Sequence, residues 1–266
     1  MTRPAQVKGL HARTPIHVAG ERLLLARAAD LRAAEARAAR RLDVRTVHDL
    51  RVACRRLRVA VKVFGKKSLR SLDARLEQLQ DALGAVRDLQ LEARWLARHR
   101  ADAATVTARL RSAEARLRRV LEQWGRRSEP ALVRALSQVR RRGTLGGRRM
   151  RKRLRKRVGE LEAALWHRDP LDPETAHGIR IAAKKLRYEA ELLRAAFELD
   201  GAIDALTELQ GALGNVHDAD LRLRALDAEP RLARAARAER DRSASRARRI
   251  IGRARKLWAR LRRRQL

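Results

Sequence analysis

The sequence has 266 residues, of which 65 are Lys or Arg and 31 are Asp or Glu, and its formal net charge is +34 at neutral pH. Such an excess favours a polyanionic partner, and the chain is long enough for one large core or two medium ones. No apolar run could span a bilayer, no N-terminal stretch resembles a secretory signal, and the single cysteine, Cys54, excludes an internal disulfide and a cysteine-rich zinc site. We therefore expect a cytoplasmic protein that binds nucleic acid, an acidic membrane surface or inorganic polyphosphate.

The pattern is helical almost throughout, because Ala, Leu, Arg and Glu dominate and the six prolines leave long stretches uninterrupted. In chain order, the sequence predicts helices over 17–42, 44–66, 69–99, 101–125, 148–167, 173–199, 202–226 and 230–263. A segment that starts at Ser128-Glu129-Pro130 separates two halves with equal helix counts. The expected domains are an N-terminal extension (1–16), a first helical bundle (17–127), a linker with a short helix (128–147) and a second helical bundle (148–266).

A histidine-led series of basic residues occurs twice, and we call the two series the ladders. The first comprises His48, Arg51, Arg55, Arg58 and Lys62, and the second comprises His177, Arg180, Lys184 and Arg187. Spacings of three and four residues place each ladder on one helix face, with one rung per ~5.4 Å turn. A basic stripe alone is typical of a solvated helix face. The duplication of the stripe and the near absence of acidic residues from the two ladder faces favour polyanion binding instead. Only Glu191, where the first ladder has Lys62, departs from the pattern.

Each ladder lies on the helix face opposite an apolar ridge, and the two ridges occupy the same positions relative to His48 and His177. Both helices therefore have a packing side and a charged side. The ridges comprise Leu50, Ala53, Cys54, Leu57, Val61 and Phe64 in the first half, and Ile179, Ala182, Ala183, Leu186, Ala190 and Leu193 in the second. Cys54 is therefore expected to pack in the core.

A second motif is also duplicated, since residues 76–88 align with residues 206–218. Gly84 and Gly214 lie in mid-helix, where glycine costs about 1 kcal/mol relative to alanine, so we expect a kink or a close backbone approach at each. The pairs that follow are Arg87-Asp88 and His217-Asp218, whose acids are expected to hydrogen bond or form ion pairs locally. Together the two repeats predict two four-helix bundles related by a pseudo-twofold duplication.

The segments Val47–Arg58 and Ala176–Arg187, each followed by a Leu-Gly-x-Val-[Arg/His]-Asp element, resemble the CHAD family (conserved histidine alpha-helical domain) over about residues 15–263. The resemblance implies an all-α fold of two four-helix bundles whose basic helices line a central groove or pore. It also implies inorganic polyphosphate as the ligand and association with polyphosphate granules. The implied binding residues are His48, Arg51, Arg55 and Arg58 with His177, Arg180, Lys184 and Arg187. We add Arg56, Lys62 and Lys185 as binding candidates, and Arg87, Asp88, His217 and Asp218 as supporting ones.

Polyphosphate suits these side chains, because arginine binds phosphate oxygens bidentately, lysine adds a point charge and imidazole donates a hydrogen bond. Binding of this kind needs no cofactor, metal or catalytic step. The main alternative is sequence-independent nucleic-acid binding, although aromatic residues make up only 3% of the chain and offer little base stacking. We expect weak binding to duplex phosphates. A metal-dependent phosphohydrolase is a further alternative suggested by His217-Asp218, but the chain offers no histidine spacing typical of metal ligands.

Overall fold

The computed structural model describes residues 4, 7–65, 70–137, 139, 142–166, 169–225 and 229–263. Within these residues the structure contains eight α-helices and no strand, as the sequence predicts. The helices are α1 (Ile16–Arg40), α2 (Val44–Phe64), α3 (Arg70–Arg98), α4 (Ala104–Ser137), α5 (Arg148–Leu165), α6 (Pro173–Leu193), α7 (Asp200–Ala225) and α8 (Pro230–Arg263).

The chain divides into two compact units, Met1–Leu145 and Gly146–Leu266. In the first unit α1 packs on α2, α2 on α3 and α3 on α4, and α4 also contacts α1. In the second unit α5 to α8 pack in the same order, and α8 also contacts α5. Each unit is thus a four-helix bundle with the same sequence of neighbours.

The two ladder helices begin with the same kind of cap. The Asp43 side chain accepts hydrogen bonds from the backbone nitrogens of Arg45 and Thr46, and the Asp43 backbone donates to Thr46 Oγ1 at 3.0 Å. At the start of α6 the Asp172 side chain accepts from the backbone nitrogen of Thr175 at 3.0 Å. These caps satisfy backbone donors that the helix leaves unpaired and fix where each helix starts. The ladder histidines therefore lie in the second turn of each helix.

The apolar ridges of α2 and α6 are buried as predicted. Leu50, Cys54 and Phe64 are fully buried in the first unit, and so are Ile179 and Leu193 in the second. The remaining ridge residues are at most 9% exposed. Because the ridges face the bundle interiors, the opposite faces of α2 and α6 present the ladders.

Cys54 is a packing residue, as expected. Its thiol donates to the Leu76 carbonyl oxygen at 3.4 Å, and burial raises its pKa to about 12. Since the thiolate is the reactive form, this cysteine is inert at physiological pH.

Two predicted helix boundaries were wrong. The sequence predicted that a helix ends at 125 and that a separate short helix follows, but α4 continues through Pro130 to Ser137. Ala131 and Leu132 are buried just beyond the proline, and their burial offsets the backbone hydrogen bond that Pro130 cannot donate. The helix predicted over 173–199 ends at Leu193, the last buried residue of the ridge. None of residues 194–199 is buried, so no core packing extends the helix further.

The close backbone approach predicted at Gly84 and Gly214 is not found among the described residues. It occurs instead at Gly20 of α1, where an added Cβ would lie 2.7 Å from Val139 Cγ1 and 3.1 Å from Phe64. This glycine lets α1 approach α2 and the segment after α4. The N-terminal segment also pairs with the end of the unit, where the Leu145 backbone nitrogen donates to the Thr14 carbonyl oxygen at 2.9 Å.

Candidate anion-binding ladders

The first turns of the ladder in α2 form a cluster of cations that includes a residue of α3. His48 and Arg51 are partly exposed, and Arg87 reaches across from α3 to donate from Nη1 to the Val44 carbonyl oxygen at 3.0 Å. The Arg51 guanidinium lies beside α3 at Gly84. Its Nε is buried and has no hydrogen-bond acceptor among the described residues. Arg55, one turn further along α2, is also partly exposed.

The corresponding turns of α6 form a similar cluster with α7. The rings of His177 and His217 are 5.4 Å apart between centroids and tilted by 49°. Arg180 Nη2 lies 3.5 Å from His177 Nδ1, and the charge of Lys184 also acts on both histidines. His217 thus occupies the place in this cluster that Arg87 occupies in the first unit. We call His48, Arg51 and Arg55, with His177, Arg180 and Lys184, the N-terminal rungs.

The electrostatic field in both clusters is positive. Burial lowers the pKa of His48, and the charge of Arg87 lowers it further. Burial also lowers the pKa of His177, with smaller contributions from Arg180 and Lys184, and it lowers the pKa of His217 to about 4. A neutral imidazole beside a guanidinium becomes easier to protonate when an anion binds, because the negative charge of the anion offsets the positive field.

The C-terminal rungs of the first ladder are already paired with carboxylates. Arg58 donates from Nε to Asp73 at 2.7 Å and from Nη2 to Glu77, both on α3. Lys62 Nζ lies 3.4 Å from Asp73. These cations hold α2 against α3, and their part in ligand binding stays a prediction.

The C-terminal rung of the second ladder is paired as well, but with different groups. Arg187 is only 1% exposed, donates from Nε to Gln210 Oε1 of α7 at 3.0 Å and forms an ion pair with Glu191. Glu191, the exception in the sequence pattern, is therefore the internal counter-ion of Arg187. It supplies the negative charge that Asp73 and Glu77 supply in the first unit.

The remaining candidates lie in different surroundings. Arg56 is 7% exposed and so offers little surface to a ligand, whereas Lys185 is exposed. Asp88 is exposed and Asp218 is partly buried, and both take part in polar or electrostatic interactions. The predicted role of these acids as local partners stays a prediction.

Some residues that pair with the ladder cations or bond to the ladder helices were not predicted from the sequence. The acids of α3 that pair with Arg58 and Lys62 carry no local signal, because they are distant in sequence and meet the ladder only after α2 packs on α3. In the second unit, Arg153 and Arg157 of α5 both bond to Glu189, which is 3% exposed. The Asp-x-x-Thr caps before each histidine were a signal that could have been read.

Two features, a metal-binding cluster and a membrane-spanning helix, were not found among the described residues. No group of three or more His, Cys, Asp or Glu side chains is arranged to hold a metal ion in that part of the chain. None of the described helices is both long enough and apolar enough to cross a membrane.

Comparison with known proteins agrees with the predicted family and with the all-α fold. The CHAD domain profile matches residues 22–227 of the chain. The chain belongs to the CHAD family. A solved CHAD domain from the plant Ricinus communis has a TM-score of 0.63 at 21% identity, and the match covers 94% of this chain and 96% of that one.

A second solved structure, PptA from Streptomyces chartreusis, has a TM-score of 0.62 at 16% identity, and the match covers 89% of this chain and 99% of that one. At these identities the structural likeness concerns the fold. No curated protein matches the sequence. The N-terminal rungs of both ladders lie within the matched CHAD region.

Proposed function

We propose that this CHAD protein binds inorganic polyphosphate, without catalysis, through the N-terminal rungs of both ladders. The observation that carries the proposal is the grouping, in each unit, of cations and histidine side chains contributed by two neighbouring helices. In the first unit these are Arg51 and Arg87 beside His48, and in the second they are Arg180 and Lys184 beside His177 and His217. The C-terminal rungs, in contrast, are already neutralised by carboxylates.

The chemistry of the ligand supports this assignment. Polyphosphate is a flexible chain of phosphates without bases, so it offers only charge and phosphate oxygens for recognition. Arginine and lysine side chains at one helical turn per rung can follow such a chain along α2 and along α6. Arg51 and Arg55 are partly exposed, so their guanidinium groups are accessible to phosphate oxygens.

A variant that removes four N-terminal rung charges tests the proposal. In Arg51→Gln/Arg55→Gln/Arg180→Gln/Lys184→Gln, we expect the affinity for long-chain polyphosphate to fall about 100-fold or more, because several charge-assisted hydrogen bonds are lost together. Titration calorimetry at physiological salt would measure the loss.

A charge-matched control separates the ladders from the general positive charge. The control replaces four exposed arginines of α4 and α8 with glutamine, namely Arg109, Arg116, Arg237 and Arg248. Its affinity should fall only a few-fold, since distant exposed charges are screened. Equal losses in the two variants would contradict the proposal.

Sequence-independent nucleic-acid binding is tested with the same two variants. Duplex DNA should bind weakly, and both variants should weaken it to a similar extent, because that binding follows net charge. Unlabelled polyphosphate should displace DNA at far lower concentration than the reverse. If the ladder variant loses DNA and polyphosphate binding equally, nonspecific charge explains both.

The non-catalytic part of the proposal is tested separately by following phosphate release from polyphosphate with and without divalent cations. We expect no turnover. Phosphate release that disappears in His48→Gln or His177→Gln would indicate a phosphohydrolase instead. Association with polyphosphate granules, which we also propose, is tested by imaging the wild-type chain and the four-charge ladder variant in cells that store polyphosphate.

A further inference from the structure

Gly84 and Gly214 are mid-helical glycines without an evident role in the fold. Gly84 is near the middle of α3 and Gly214 near the middle of α7. Glycine destabilises the interior of a helix relative to alanine. Neither residue has a positive φ, a conformation that the described glycines adopt only at Gly9 and Gly143. The backbone conformation therefore does not require glycine at either position.

Packing within the described chain does not require these glycines either. A Cβ at Gly84 would meet only Arg51 Nη2, at 4.0 Å, and a Cβ at Gly214 would meet nothing within 4 Å. Gly20 is the contrasting case, since its Cβ would lie 2.7 Å from a neighbour. An alanine would fit at Gly84 and Gly214 and would strengthen both helices.

Both glycines lie on the helix face that meets a ladder. Arg87 is one turn after Gly84, bonds to the start of α2 and acts on His48. His217 is one turn after Gly214, and its ring is 5.4 Å from that of His177. Residues three apart share a helix face. Each glycine is partly exposed, so the space beside it opens to solvent.

We propose that Gly84 and Gly214 are binding-site residues that leave room for the polyphosphate chain to pass against the backbones of α3 and α7. This inference rests on the proposed function. In the first unit, the phosphate that contacts the Arg51 guanidinium would occupy the space beside Gly84. A methyl group there would hold the anion away from Arg51, and charge-assisted hydrogen bonds need donor–acceptor distances near 2.9 Å.

Alanine variants test the inference because stability and affinity should move in opposite directions. We expect Gly84→Ala and Gly214→Ala to raise the melting temperature or leave it unchanged, since alanine is the better helix former. Each should lower the affinity for long-chain polyphosphate about fivefold to tenfold, the effect of weakening one charge-assisted contact. The double variant should lose more than either single variant.

Two other mid-helical glycines provide matched controls, one in each unit. Gly125 of α4 and Gly159 of α5 are exposed, and a Cβ at either would meet nothing within 4 Å. Gly125→Ala and Gly159→Ala should also stabilise the protein, but they should bind polyphosphate as the wild type does.

Three results would overturn the inference. Unchanged polyphosphate affinity in Gly84→Ala and Gly214→Ala would show that no ligand lies beside the glycines. It would leave the proposed function intact if the four-charge ladder variant had lost binding. A lower melting temperature in these two variants, but not in the controls, would show that glycine is needed for packing. A wild-type protein that does not bind polyphosphate would overturn the inference and the proposed function together.

Discussion

The ladder histidines and His217 are neutral at physiological pH in the protein without ligand, because burial and nearby cations lower the pKa of each. A neutral imidazole can still donate one hydrogen bond, and it can gain a proton when an anion arrives. In the proposed complex the histidines would therefore add to binding without adding to the repulsion among the arginines. This is a use for histidine that arginine, which is always charged, cannot supply.

Polyphosphate binding is expected to strengthen as the pH falls from 7 to 5. The anion raises the pKa of His177 and His217, so the complex takes up protons at pH values where the free protein does not. Arg180 and Lys184 of α6 oppose this uptake, and Asp220 of α7, which is paired with Arg240 of α8, favours it. Calorimetry in two buffers with different ionisation enthalpies would count the protons.

The pH effect has its own control. His177→Gln/His217→Gln should weaken the dependence and leave the part due to His48, whereas His99→Gln should not weaken it, because His99 lies against Trp95 of α3 and is not part of a ladder. A double variant that keeps the wild-type pH dependence would exclude these histidines as its source.

Glu35 of α1 provides a pH dependence of stability that is unrelated to binding. Burial raises its pKa to about 7, although a hydrogen bond from Trp124 and the charge of Arg32 act in the opposite direction. The folded state thus holds a proton that the unfolded state releases near pH 4.5. Stability should fall as pH rises from about 4.5 to 7 and then level off, by on the order of 1 kcal/mol after allowance for partial solvent exposure.

Urea unfolding at several pH values, followed by Trp fluorescence, would measure this loss. Glu35→Gln should abolish it, because glutamine keeps the shape and does not titrate. Glu122, an exposed residue of α4, provides the control: Glu122→Gln should leave the pH profile of stability unchanged. A profile that is the same in wild type and Glu35→Gln would refute the assignment.

At the scale of helices, the surroundings of each ladder change along its length. The N-terminal rungs face cations and histidines, whereas the C-terminal rungs bond to α3 or α7 and hold the helix pair together. The two units reach this result with different residues. Lys62 and Arg58 share the acids of α3, but α7 has Ile203 and Thr207 where α3 has Asp73 and Glu77. Glu191 therefore supplies the counter-charge from α6 itself.

Substitution of the C-terminal rungs should lower stability more than affinity. Arg187→Gln removes the ion pair between Arg187 and the buried Glu191 side chain, at an expected cost of about 2–3 kcal/mol. Arg58→Gln should cost less, since Glu77 is half exposed and stays hydrated. Denaturant midpoints would measure both costs, and polyphosphate affinity should change less than about twofold, because the rung is already neutralised.

The double variant Arg187→Gln/Glu191→Gln is the matched control. It removes both charges, so it should recover most of the stability lost in Arg187→Gln. A large loss of affinity in Arg187→Gln that the double variant does not restore would instead place Arg187 in the binding surface.

The helices and their core faces were predictable because their signal is local. The period of the apolar ridges set the packing sides of α2 and α6, and the repeat supplied an independent copy of each pattern. Pro130 was misread as a helix break, since the buried Ala131 and Leu132 that keep α4 intact act through tertiary packing. The division of the first ladder was not predictable either, because the acids that pair with it belong to α3. Glu191 stood out as the exception to the ladder pattern, but its role as a counter-ion follows from the burial of Arg187 beside it.

At the scale of the whole molecule, the net charge and the ladders are separate properties. Exposed arginines occur along α4, α5 and α8, far more of them than the ladders contain. This broad charge attracts any polyanion and speeds encounter, but it does not position a phosphate. The duplication of the CHAD motif matters for positioning, because each unit has a cation cluster of its own. The pseudo-twofold relation between the units, and the groove it implies, stay predictions.

The dependence of affinity on salt should separate these two contributions. Binding of a phosphate chain releases condensed counterions, so the logarithm of the association constant should fall linearly with the logarithm of salt concentration, by about 0.7 per contacted phosphate if the chain behaves as a single strand does. The ladder variant that lacks four cations should therefore have a slope shallower by about 3. The charge-matched control on α4 and α8 should keep nearly the wild-type slope, since its arginines add to the field without contacting phosphates. Slopes that decrease equally in both variants would mean that the phosphates contact the whole basic surface and that the N-terminal rungs have no special part in binding.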